Sequence, residues 1–134
     1  MLKNKIILPA VVASLALLAG CATGTNTAST ESVDQRIELT DQQVKAIKAG
    51  VRDALVDPES ARFGNMVAGA KNDGSIYVCG MVNAKNRMGG YSGATPFIGM
   101  ILSNGQFAPV SLDPSESGRY ATNQRCDTLG LSVY

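Results

Sequence analysis

Residues Ile6 to Leu18 are apolar apart from Ser14, include Pro9, and follow Lys3 and Lys5 with no acidic residue nearby. Thirteen residues of helix reach only about 20 Å. That falls short of the roughly 30 Å hydrocarbon core of a bilayer, so the segment does not read as a permanent span. A charged start, a short apolar middle and small residues after it describe an export signal that is removed, residues 1–20. The fold must come from the residues beyond it.

The end of this segment is more specific. Leu18-Ala19-Gly20-Cys21 resembles the lipobox of bacterial lipoproteins at all four positions. The resemblance implies a diacylglyceryl group on the sulfur of Cys21, cleavage before that cysteine and acylation of the new amino terminus. The competing reading is a plain secretory signal with a cysteine there by chance. Each buried methylene contributes about 0.8 kcal/mol, so two or three acyl chains hold a protein on a bilayer where one does so only weakly. Ala22, rather than Asp, follows the cysteine; by the sorting rule of enteric-type lipoproteins this implies the outer membrane, facing the periplasm.

Removing residues 1–20 takes Lys3 and Lys5 away and leaves 10 basic against 11 acidic side chains. A field so weak argues against a nucleic-acid partner, which needs clustered positive charge. The chain has no His and no Trp, which excludes Ser-His-Asp and Cys-His catalysis and His-ligated metal sites. No cofactor is implied. From Ala22 to about Asp34 the residues are mostly Thr, Ser, Ala, Asn and Gly, a composition that cannot bury enough apolar area to offset chain entropy. Residues 21–36 therefore read as the lipidated cysteine with a flexible tether, reaching roughly 20 Å on average. Residues 37–134 are left for one small domain.

Cys79 and Cys126 are the other two cysteines. An exported chain in an oxidising compartment most simply pairs them, with two free thiols or an intermolecular bond as alternatives. Thr40 with Gln43 fits a capping box, and Val44, Ile47, Val51 and Leu55 form one apolar stripe at helical spacing. Asp57-Pro58 ends that helix and suits a second short turn capped by Asp57. Asn72-Asp73-Gly74 joins a strand near 65–70 to one near 75–84. A third strand at 95–102 is apolar on both faces, as a central strand should be. Asn104-Gly105 leads into a fourth at 107–112, where Pro109 predicts a sheet edge. Residues 115–129 give a weaker helical pattern. The expectation is an α+β fold: an N-terminal helix packed on a three- to four-stranded antiparallel sheet, with a C-terminal helical or irregular segment tied back by a disulfide.

The most distinctive stretches are Asp57-Pro58-Glu59-Ser60-Ala61-Arg62-Phe63 and Cys79 to Gly93, with Asn83, Lys85, Asn86 and Gly89-Gly90-Tyr91. Together they resemble a family of small exported or lipidated proteins of proteobacteria and their phages, over roughly residues 40–110. Met88 stands where that pattern has an aromatic residue. The resemblance implies a fold and a disulfide and carries no known activity. Physically, Asn83, Lys85, Asn86 and Arg87 bring amide and cationic donors to a strand end beside a glycine-rich loop, and Tyr91 offers a stacking surface. That describes a candidate binding site for an anionic envelope or cell-wall component, or for a partner's acidic side chains. The competing reading gives Asn86 and the glycines a turn to build and Tyr91 a place packed on the sheet.

Three functions are compatible with these features. The first is a non-enzymatic binding module anchored in the cell envelope through its acyl chains, with an envelope protein or cell-wall component as partner. The second is an inhibitor or exclusion factor against a hydrolase or phage. The third is a small cell-wall hydrolase using Asp113, Glu116, Asp127 or Ser92, although nothing in the spacing brings those carboxylates together.

Overall fold

The computed structural model describes residues 31–134. The expected export signal, the lipobox with Cys21 and the tether as far as residue 30 lie outside the described residues. Strand β1 (Gln35–Ile37) opens the domain, followed by helix α1 (Asp41–Asp53), a 3-10 turn (Pro58–Ser60), and strands β2 (Arg62–Ala70), β3 (Ile76–Asn83), β4 (Thr95–Ile101) and β5 (Phe107–Ser111). Helix α2 (Glu116–Thr128) closes it. The strands form one sheet in the order β1-β2-β3-β4-β5, every neighbouring pair antiparallel. Among the described residues no helix is long and apolar enough to cross a membrane.

The α+β class holds, with two corrections. The sheet has five strands where three or four were expected, and the helix expected as the first element follows a strand. Gln35-Arg36-Ile37 has no alternation that would announce a strand. It is extended because it pairs with the far end of β2, Gln35 opposite Ala70 and Ile37 opposite Ala68. The Arg36 guanidinium also donates to the Gly130 carbonyl, Nε to O at 3.1 Å. Strand β1 thus begins inside the stretch read as tether. β2 starts earlier than expected because a bulge between Phe63 and Met66 interrupts its register and hides its first residues from a periodicity reading.

Alternation along β3 sets two cores, since successive strand side chains point to opposite faces. Val78 and Val82 join Ile47 and Val51 of α1, Ala68, Phe97 and Phe107 on one face. Cys79 joins Ile98, Cys126, Leu129, Leu131 and Val133 on the other. The sheet is therefore the middle of three layers, α1 on one side and α2 with the C-terminal tail on the other. Thr40 and Gln43 make the expected capping box, the Gln43 amide donating to the Thr40 hydroxyl and the Gln43 side chain accepting from the Thr40 backbone N–H. Helix α1 lies close on β5: a Cβ at Gly50 would sit 2.5 Å from the Phe107 carbonyl oxygen. Cys79 and Cys126 are joined by a disulfide that closes a separation of 47 residues. Pro109 lies on β5, an edge strand, beside a register irregularity opposite Ile98 and Gly99.

Candidate binding site

The two distinctive sequence stretches meet at one end of the sheet. Asp57 caps the 3-10 turn, its carboxylate accepting from the Ser60 backbone N–H at 3.2 Å. The Ser60 hydroxyl donates to the Asp57 carbonyl at 2.8 Å and accepts from the Lys85 backbone N–H at 2.8 Å. The Tyr91 hydroxyl donates to the Ser60 carbonyl at 3.1 Å. Above the Tyr91 ring lies the Arg62 guanidinium, 4.5 Å from its centre, with the Lys85 ammonium at 5.9 Å. Tyr91 is thereby held against the turn by cation–π contact and a hydrogen bond, with Arg62 over its ring and 38% of the residue still exposed.

Between Lys85 and Tyr91, which form an isolated antiparallel bridge, the loop is closed by Asn86. Its carboxamide oxygen accepts from the Met88 and Gly90 backbone N–H groups at 2.9 and 3.2 Å, and its Nδ2 donates to Ser92 Oγ at 3.1 Å. Gly89 takes the positive φ, 82°, that this turn requires. From the far side, Arg119 of α2 donates to the carbonyls of Ser92 and Ala94, each at 2.8 Å. The loop is a turn braced by its own hydrogen bonds and by Arg119.

Beside this turn lies a cleft of about 290 Å³. Leu55 and Val56, beyond the end of α1, Val82 and Ala84 at the end of β3, and Leu112 after β5 give it an apolar floor. Lys85, Asn86, Arg87, Ser92 and Thr95 form its polar wall. Two cations, Lys85 and Arg87, are the charged residues of the lining. Val56 is 61% exposed and Met88, at the loop tip, 94% exposed.

The sequence-derived candidates divide here. Lys85, Asn86 and Arg87 line the cleft; Asn83 and Tyr91 do not. Asn83 falls on the opposite strand face from Val82, and its Oδ1 is buried without a hydrogen-bond partner. Leu55 and Leu112 read in sequence as the last apolar positions of a helix and a strand, and Val56 beside them carries no site signal, so sequence does not mark these three as site residues. Each lies close before an Asp-Pro pair, Asp57-Pro58 or Asp113-Pro114, in the chain that follows an element.

The carboxylates are arranged for structure. The Ser115 backbone N–H donates to Asp113 and holds its carboxyl below the usual range. The Ser132 hydroxyl and then that of Tyr134 do the same for Asp127. Glu116 and Asp127 stand near opposite ends of α2, about 16 Å apart along its axis. The lowered pKa values of Asp113 and Asp127 suit anions rather than a general acid, whose pKa must rise. Among the described residues no group of three or more His, Cys, Asp and Glu side chains is placed to hold a metal ion. Compared with protein-family models, curated proteins and solved structures, the chain matches none.

Proposed function

We propose that the protein is a lipid-anchored cell-envelope module that binds a partner non-enzymatically, tethered through Cys21 to the outer membrane and facing the periplasm. The observation that carries the binding function is the cleft with an apolar floor and Lys85 and Arg87 on its rim. Apolar walls with a few convergent polar groups are the ordinary composition of a ligand site. The amino-terminal signal, the lipobox and the Thr-rich tether support the anchor.

Placement supports a partner lying away from the anchoring bilayer. The chain leading from the tether joins the sheet at the β2–β3 turn, where the Asn72 backbone N–H donates to Asp34 at 2.6 Å. The cleft lies at the other end of β3, and Ile76 and Val82 are about 20 Å apart along that strand. Asp34 and the cleft thus stand at opposite ends of β3.

Two measurements test the reading. Labelled palmitate is incorporated into the wild type and lost from Cys21→Ala, which leaves the membrane fraction; a wild-type protein without fatty acid ends the anchor proposal. Crosslinking in intact envelopes captures a partner, and Lys85→Ala with Arg87→Ala weakens that capture at an unchanged melting temperature. A captured secreted hydrolase or phage protein assigns the module to exclusion. Capture unaffected by the two substitutions removes the cleft from the function.

A further inference from the structure

The cleft's chemistry narrows what it holds, and this step rests on the binding-module reading. Ligand pockets run from roughly 300 to 1,000 Å³, so about 290 Å³ suits one small group and excludes a long acyl chain. Its lining contains two cations and no carboxylate, which selects an anion. The anion must carry an apolar part, because Leu55, Val56 and Leu112 would gain nothing from a bare hydrated ion.

The polar wall adds a third requirement. Ser92 Oγ accepts from Asn86 Nδ2 and keeps its own hydrogen to donate, since a hydroxyl is both donor and acceptor. A ligand bearing an amide as well as an anion uses that wall; a fatty acid does not.

We infer that the cleft binds the C-terminal residue of a short peptide. Its alkyl side chain lies on Leu55, Val56 and Leu112, and its free carboxylate is held by Lys85 and Arg87. A carboxylate between two cations forms charge-assisted hydrogen bonds, the stronger class, and the floor reads a small alkyl group.

The test uses the purified, lipidated, isotope-labelled protein in micelles, titrated with N-acetyl-Ala-Leu, its C-terminal amide, decanoate and inorganic phosphate. The free-carboxylate peptide is expected to give saturable shifts of the Val56, Lys85, Arg87 and Ser92 amides. Capping the carboxylate, or combining Lys85→Gln with Arg87→Gln, weakens binding by about tenfold, the size of one charge-assisted contact. Val56→Ser weakens it too, without lowering the melting temperature. Equal binding of the amide, tighter binding of decanoate, saturation by phosphate alone, or no saturation by the peptide each overturns the inference. Peptide binding that fails while Lys85 and Arg87 still govern envelope crosslinking overturns the ligand class and leaves the module reading standing.

Discussion

The Ser60 hydroxyl accepts a hydrogen bond from the Lys85 backbone amide at 2.8 Å and so joins two segments 25 residues apart in the chain. The same hydroxyl donates its hydrogen to the Asp57 carbonyl. Ser60→Ala removes both bonds and leaves the Lys85 N–H without that acceptor. Lys85 is exposed, so water can take over its N–H, and each lost hydrogen bond costs about 0.5–1.5 kcal/mol; a domain of this size loses about 4–8 °C of melting temperature per kcal/mol. Calorimetry reads the fall, and amide exchange should quicken at Lys85 and Tyr91 before the sheet interior.

The Cys79–Cys126 bond closes a separation of 47 residues. In the chain-entropy account such a crosslink contributes about 4 kcal/mol by restricting the unfolded chain. Cys79→Ala with Cys126→Ala is expected to lower the urea midpoint by a corresponding amount and to raise the dependence on denaturant, because the unfolded chain then exposes more surface. Alkylation before reduction should label neither cysteine in wild-type protein.

Gly80 stands where β3 passes beneath the Phe97 ring. A Cβ there would meet Phe97 Cζ and come within 2.7 Å of Phe97 Cε1. Phe97 is fully buried and packs edge-on against Phe107, ring centres 6.0 Å apart, so it has little room to yield. Gly80→Ala is expected to destabilise by about 1–3 kcal/mol, the usual cost of overpacking. Equilibrium unfolding in urea measures it, and an unchanged midpoint would show the ring to be freely displaced.

Acid should weaken the domain through three exposed carboxyls. Asp73, Asp113 and Asp127 have folded-state pKa values below the ordinary value, chiefly through hydrogen bonds from Ser75, Ser115 and Ser132. The unfolded chain then takes up protons first, so stability is present above about pH 4 and falls as pH drops through the folded values. Tyr134 has the opposite sign: its hydroxyl donates to Asp127, which raises its pKa. Its contribution is present below about pH 10 and is lost as pH rises through the folded value. Melting temperature against pH should show a plateau between these limits, and Asp127→Asn should reduce both slopes.

Much of this architecture is written locally. Helix α1 is legible because Thr40 and Gln43 cap it and its stripe repeats at helical spacing. β3 is legible because Val78 and Val82 alternate with Cys79 and Met81. What escapes is whatever depends on distant partners. β1 is extended only against Ala68–Ala70 of β2. α2 is interrupted in sequence by Gly118 and Thr122, yet a Cβ at Gly118 would collide with Asp113, and Thr122 is buried with its hydroxyl 2.7 Å from that of Ser111. The site divides the same way. Lys85, Asn86 and Arg87 could be picked out from residue type, whereas Leu55, Val56 and Leu112 come together only when the helix end and the strand end meet.

The two margins of the sheet carry a last consequence. Pro109 interrupts hydrogen bonding along β5, and the part of β2 that short β1 leaves uncovered is bent by its bulge. Molecules confined to a surface collide far more often than molecules free in three dimensions, and regular open margins would let neighbours zip into fibres. Were the chain anchored as proposed, these two interrupted borders would offer crowded neighbours no regular edge on which to zip.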